Sequence, residues 1–284
     1  MRLTKYMPIV AGALKLIGLY QRGLRNALDI HLTHHTFAFP DLPSEFDGYR
    51  IVHLSDLHLD YIDEITERLI AILRNVEAEL CLCSGDFRDG QTRGFSNILL
   101  PMRQVIASLH VSDGFYATLG NHDQRVMIQP LRELGVEILR NETTTIARGS
   151  ACLNIVGLDG LYVGQRHRDR HPPPPAPTGG FTVVLTHAPD LVETASHAGA
   201  SLYLAGHTHG GQICLPGGRP IIANVDAPRA YLKGRWQAGT LQGFTNSGVS
   251  VSSLPVRFNT RGEVALITLR RDSSPKAQAT RATS

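Results

Sequence analysis

Residues 47–58 read DGYRIVHLSDLH. A glycine precedes a β-rich run, Tyr49 to Leu54, and the run gives way to Ser55, Asp56 and His58. Aromatic and β-branched residues bounded by a turn residue mark a strand. A strand that turns polar at its last residue carries chemistry at its carboxyl end. The fold depends on whether this pattern recurs. It does, in LCLCSGD with Asp86, FYATLGNHD with Asn121, His122 and Asp123, TVVLTHAP with His187, and LYLAGHTHGG with His207 and His209. Loops at the carboxyl ends of strands are where α/β sheets hold ligands and catalytic groups.

Helical patterns separate the first of these strands. Residues 63–77, DEITERLIAILRNVE, have acids in the first turn and Ile65, Leu69, Ile72, Leu73 and Val76 on one face. A second helix is predicted from near Pro101 to residue 109, and a short third one from Pro130 to a C-capping Gly135. Strand–helix alternation argues for an α/β protein. In the second half VEILRN, CLNIVGLDG, FTVVLTHAPD, SLYLAGHTHG and EVALITL follow with fewer helices between them. That spacing predicts two mixed sheets packed face to face rather than one doubly wound sheet.

With 284 residues, 42% of them hydrophobic, the chain can bury the core of one large domain. A net charge of +3 gives no support to a nucleic-acid partner. The four cysteines, Cys81, Cys83, Cys152 and Cys214, form no CxxC pair, which argues against a zinc knuckle and for a reduced, cytoplasmic compartment.

Residues 1–30 read as one amphipathic helix. Val10, Ala13, Ile17, Tyr20, Leu24 and Ala27 form a stripe, and all five charged residues before Asp29 are basic. The apolar run Met7–Leu14 is too short to span a bilayer, which takes about 20 residues. Two readings stand: a helix packed on its own domain, and a basic helix lying on the inner face of the cell membrane through residues 1–28. The added charge of Arg2 and Lys5 favours the second. Residues 31–47 are expected to be a linker, 48–271 the main domain, and 272–284 a disordered tail. The stretch RHRDRHPPPPAPTGG, 166–180, reads as an exposed, stiff proline loop.

The strand-end groups are oxygen and nitrogen donors without a thiolate. They suit Mn²⁺, Fe, Zn²⁺ or Mg²⁺, and they are too many for one ion. Two cations about 3.5–4 Å apart can share a carboxylate and clamp both the attacking and the leaving oxygens of a phosphoryl transfer. Asp86, alone at its strand end, is the natural bridge. Gly85, Gly120, Gly206 and Gly210 stand beside the donors and let backbone approach them closely.

SDLH, SGD, GNHD, LTHAP and GHTHGGQ, in that order, resemble the calcineurin-like metallophosphoesterase superfamily. GHTHGGQICLP, VSSLPVRFN and GEVALITL resemble its YkuE-like subgroup, and the likeness runs from Asp47 to Leu269. The resemblance implies a four-layer αββα sandwich, the metallophosphatase fold. It implies one metal held by Asp56, His58 and His209, a second held by Asn121, His187 and His207, and Asp86 shared. Mn²⁺ is the ion expected to support activity best. A water bridging the pair would lose its proton near neutral pH and attack phosphorus in line. His122 would stabilise phosphoryl charge or protonate the leaving oxygen, and Asp123 would orient His122.

The expected activity is hydrolysis of a phosphoester or pyrophosphate in a small-molecule or lipid-linked substrate. Some relatives of the subgroup cleave UDP-2,3-diacylglucosamine in lipid A assembly, which suits the basic amphipathic start. Phosphomonoesters, nucleotide diesters and a non-catalytic phosphate-binding scaffold are the alternatives. Arg229 and Arg257 are candidate substrate contacts, since guanidinium forks match phosphate oxygens. Asp89 reads equally as a turn residue and as a group that orients a ligand. His53 reads as packing; His31, His34 and His35 read as surface residues, and His167 and His171 as solvated flanks of the proline loop. Phe87, Arg88 and the RGE at 261–263 depart from the subgroup without touching an expected ligand.

Overall fold

The computed structural model describes residues 7–90, 94–160, 176–221 and 225–274. In chain order its first half contains α1 (Met7–Leu16), α2 (Tyr20–Leu28), β1 (Ile30–Phe39), β2 (Arg50–Leu54), α3 (Glu64–Leu73), β3 (Glu77–Ala78), β4 (Leu80–Cys83), α4 (Leu99–Ala107), β5 (His110–Val111), β6 (Phe115–Ala117), α5 (Ile128–Glu133) and β7 (Val136–Ile138). The second half contains β8 (Glu142–Arg148), β9 (Ala151–Leu158), β10 (Phe181–Thr186), α6 (Val192–His197), β11 (Leu202–Ala205), β12 (Cys214–Leu215), β13 (Arg219–Pro220), β14 (Gly234–Ala238), β15 (Leu241–Thr245) and β16 (Gly262–Arg271).

Two six-stranded sheets result, in the orders β1-β16-β2-β4-β6-β7 and β14-β15-β11-β10-β9-β8. Phe37, Ile51, Leu82, Ile155, Val183, Leu204 and Ile267 fill the space between them. A second core lies under the helices of the first sheet, with Leu69, Leu73, Met102, Val105 and Leu131. A third, around Val184, Ala195 and Tyr203, lies on the far face of the second sheet. The architecture is therefore helix, sheet, sheet, helix. Strands β2, β4 and β6 run parallel, as do β10, β11 and β15, so their carboxyl ends gather on one edge of each sheet.

The expected linker is mostly a strand. β1 pairs in parallel with β16 over its whole length, from Ile30 opposite Gly262 to Phe39 opposite Arg271. It is an edge strand, so only Phe37 and Phe39 are fully buried, and its polar first half hides the two-residue period. His35 consequently sits half-buried, 3.6 Å from Glu263, instead of on the open surface. The expected single N-terminal helix is two. Gly18, at φ +74°, ends α1, and α2 docks through Gly23 and Ala27. A Cβ on Gly23 would lie 2.6 Å from Val256, so that contact requires glycine. The helix predicted over 63–77 stops at Leu73, and Glu77 and Ala78 pair with His110 and Val111. Strands β8, β14 and β15 are unannounced by the pattern. His167, His171, residues 166–175 of the proline loop and residues 275–284 lie outside the described residues.

Candidate dinuclear metal centre

The carboxyl ends of β2, β4, β6, β10 and β11 deliver their polar residues to one place. The backbone there is forced. Asp56, His58, Asp86, His207 and His209 all have φ between +39° and +70°, a region non-glycine residues rarely enter. Such positions cost about 1–3 kcal/mol each and persist where the surroundings hold them. Close packing does so. A Cβ on Gly120 would fall 2.0 Å from Asp86 Oδ1, and one on Gly206 would fall 1.7 Å from Ser55 Oγ.

Histidine orientation follows from backbone carbonyls. Nδ1 of His58 lies 2.9 Å from the Arg88 carbonyl, Nδ1 of His187 2.8 Å from that of Ser84, and Nδ1 of His209 3.1 Å from that of Ser250. A carbonyl only accepts, so each Nδ1 carries a proton and each Nε2 faces inward. His209 Nε2 stands 3.4 Å from Asp56 Oδ1, and His58 Nε2 stands 4.0 Å from the same oxygen. His187 Nε2 has Asn121 Oδ1 at 3.0 Å, His207 Nδ1 at 3.0 Å and Asp86 Oδ2 at 3.3 Å. Asp86 Oδ2 is also 3.8 Å from His58 Nε2, so one oxygen faces both groups. The donor atoms of Asp56, His58 and His209 lie within 4.8 Å of one another, and so do those of Asp86, His187 and His207.

These donors fit divalent cations. Nitrogen and oxygen ligands about 2.1 Å from one ion are about 3.0–3.4 Å apart at octahedral to tetrahedral angles. Asp56 Oδ1 and His58 Nε2 are buried without a hydrogen-bond partner, an arrangement that costs about 1–3 kcal/mol per group unless something positive satisfies it. Burial pushes His209 down to about 3, so its lone pair is free for an ion. Burial would also push His187 down, but Asp86 outweighs it and raises His187 to about 10. A proton there stands where a cation would, and cation binding must displace it.

A family model for the calcineurin-like phosphoesterases matches residues 49–211, more than half of the chain and all seven expected ligands. The chain belongs to the calcineurin-like phosphoesterase family. It is 31% identical to the uncharacterized metallophosphoesterase YkuE of Bacillus subtilis (strain 168), over 92% of this chain and 93% of that protein. It is 29% identical to the phosphodiesterase YaeI of Escherichia coli (strain K12), over 84% of this chain and 87% of that one. Among solved structures, an archaeal phosphodiesterase aligns with a TM-score of 0.38 at 14% identity, over 70% of this chain and 84% of that chain. The family match and the two bacterial relatives make the chain a metallophosphoesterase, a hydrolase.

The structure places two of the expected site residues, Asp123 and Arg257, away from their expected partners. Asp123 does not bond the His122 ring. Its carboxylate accepts the N–H groups of Asp86 and Gly120, both at 2.8 Å, and of Phe87 at 3.0 Å, which ties the ends of β4 and β6 together. His122 Nδ1 instead meets the Asp89 carbonyl at 2.6 Å, with the Asp89 carboxylate 3.9 Å away. Burial works against the charge on His122, but Asp86 and Asp89 overcome it and raise its pKa. Arg257 is 0% exposed, and its terminal nitrogens are taken by backbone carbonyls, so it has no free face for substrate. Arg229 is exposed and donates to the Pro220 carbonyl at 2.7 Å. Pro220 packs on Gly211, which places Arg229 at the rim of the last site loop rather than among the donors.

The sequence reading missed the loop Asn246–Ser250. Asn246 donates to the His53 carbonyl at 2.9 Å, and Ser250 N–H donates to the Asp56 carbonyl at 3.0 Å. Its signal is the polar run TNSGVS at the end of β15, hidden because Gln242 and Gly243 interrupt the apolar run that marks the other five strands.

Proposed function

We propose that this metallophosphoesterase uses two divalent cations, Mn²⁺ best among Mn²⁺, Fe, Zn²⁺ and Mg²⁺, to hydrolyse a phosphoester or pyrophosphate bond. The observation that carries the reading is Asp86 Oδ2, which faces the ring nitrogens of both His187 and His58. Asp56, His58 and His209 would hold one ion, Asn121, His187 and His207 the other, with Asp86 common to both. When bound, such a pair supplies Lewis-acid chemistry, activating water and neutralising phosphoryl oxygens. The chain's own groups do the rest. Carbonyls of Arg88, Ser84 and Ser250 lock the imidazoles before substrate arrives. His122, with Nδ1 bound to the Asp89 carbonyl and its pKa raised, holds a proton on Nε2 for a phosphoryl or leaving oxygen. Arg229, exposed at the rim, is the arginine we assign to substrate phosphate.

The test is a panel of an aryl phosphomonoester, an aryl phosphodiester, nucleotide diesters and UDP-2,3-diacylglucosamine, each with Mn²⁺, with products read by mass. Turnover of none of them with metal bound would favour a phosphate-binding scaffold.

For the substrate class we propose an amphiphilic pyrophosphate such as UDP-2,3-diacylglucosamine, met at the inner face of the cell membrane. No helix among the described residues is long and apolar enough to cross a membrane. α1, however, buries no residue, and Ile9, Leu16 and Ile17 are 68%, 88% and 63% exposed beside Lys15. Apolar side chains with flanking cations suit an anionic lipid surface. The full chain is expected to float with liposomes containing anionic lipid, and a chain lacking residues 1–19 is expected to stay in the soluble fraction. Equal behaviour of the two chains would remove the membrane reading and leave the nucleotide and monoester substrates.

A further inference from the structure

Arg257 brings a buried cation into the wall of the candidate centre. Nη1 donates to the carbonyls of His209 (2.9 Å) and Arg261 (3.1 Å). Nη2 is shared among the carbonyls of Ser247 (2.7 Å), Gly248 (3.0 Å) and Ser250 (2.6 Å). These carbonyls are not a random set. Ser250 is the residue whose oxygen also accepts Nδ1–H of His209. Its own N–H, and that of Val249, bond the Asp56 and Ser55 carbonyls. Gly248 runs directly against Asp56: a Cβ there would lie 2.9 Å from the Asp56 Cβ. One guanidinium therefore holds the His209 backbone, the oxygen that aims the His209 ring, and the loop pressed on Asp56.

The other donor set is built differently. His187 takes its orientation from Ser84 and meets Asn121, and neither hydrogen bond involves the Arg257 clamp. His209 holds left-handed backbone at φ +50°, so something must resist its relaxation. Five charge-assisted contacts from a planar fork do this better than a flexible ammonium, which is why lysine is not equivalent here.

We infer that Arg257 is a positioning residue for one half of the centre. It sets the geometry, and through it the affinity, of the set Asp56, His58 and His209, while touching neither ion nor substrate. This rests on the dinuclear reading above.

The experiment is a Mn²⁺ titration of the metal-free full-length chain by calorimetry, with electron paramagnetic resonance to tell a coupled pair from a lone ion. Arg257→Lys is made in three backgrounds: the native chain, His207→Ala, which keeps the first set, and His209→Ala, which keeps the second. In His207→Ala, Arg257→Lys is expected to weaken Mn²⁺ about 10–100-fold, the usual effect of losing a partner that orients a ligand. In His209→Ala it is expected to change the affinity by no more than about 2-fold. In the native background the coupled signal gives way to a lone-ion signal at substoichiometric Mn²⁺. Equal losses in the two backgrounds, or none in either, would overturn the inference. A native chain that binds no Mn²⁺ pair would instead fail the dinuclear reading and take this inference with it. Thermal melts of the metal-free variants report loss of fold separately.

Discussion

Replacing Asp86 by asparagine is expected to lower phosphoester hydrolysis by at least about 10³-fold, the upper range for losing one preorganised electrostatic group. It is also expected to reduce bound Mn²⁺ from two ions to one. The substitution is nearly isosteric, and Oδ1 can go on accepting the His122 N–H at 2.8 Å. What is lost is charge at Oδ2, where an amide NH₂ would face His187 and His58. That NH₂ would donate to the two Nε2 lone pairs and occupy the donors an ion needs. Burial opposes the Asp86 charge, yet His187, His122 and His58 hold its pKa well below the usual carboxylate range. The anion is thus part of the resting site, and His187 loses its main stabiliser with it. The metal-free variant is expected to melt lower, because removing one partner of a buried ion pair leaves the other uncompensated, at a cost of up to about 3–5 kcal/mol that falls as His187 gives up its proton. Bound metal is counted by elemental analysis and stability by a thermal melt of the metal-free protein. Two tightly bound ions with activity within about 10-fold of the native chain would refute the bridging role.

What the sequence disclosed follows the physics of parallel strands. A buried strand in such a sheet must be apolar through its length, so a ligand can only sit where it ends. Asp56, Asp86, Asn121, His187 and His209 stand out for that reason. Strand β1 escapes the same logic because it is an edge, where Thr33, His34 and Thr36 meet little core. Strand β8, ETTTIAR, is likewise an edge with no fully buried residue. Spacing also cannot tell which carboxylate meets an imidazole. Asp123 is adjacent to His122 in the chain, yet adjacency in a tight turn directs its side chain to the N–H groups of Asp86 and Gly120. Asp89, more than thirty residues earlier, reaches the ring because β4 and β6 are neighbours in the sheet. Arg257 was read from its chemistry alone. An arginine offers the same fork to phosphate and to backbone carbonyls, and only burial separates the two uses.

Replacing His122 by alanine is expected to lower kcat by about 10²–10⁴-fold, the usual worth of a positioned acid or base, while leaving two Mn²⁺ bound. The ring belongs to neither of the two proposed sets. It stands at the mouth, 5.2 Å from the His58 ring, with its side chain 20% exposed. In the metal-free site Asp86 and then Asp89 raise its pKa above the ordinary value of 6.5, and Asp89 goes on favouring the protonated form when Asp86 holds an ion. An acid works only while protonated. Activity that depends on it should hold below that raised pKa and fall as pH climbs through it. The alkaline limb of the kcat profile should vanish in His122→Ala. In Asp89→Asn the limb should move to lower pH, since a negative neighbour that favours the imidazolium is gone. Leaving groups separate the two roles open to the proton. An aryl phosphate departs readily without help, so an acid contributes little there and much for an alkyl ester. A proton that instead steadies a phosphoryl oxygen serves both esters alike. A loss far greater for alkyl than for aryl substrates assigns His122 to the leaving oxygen, and equal losses assign it to the phosphoryl group.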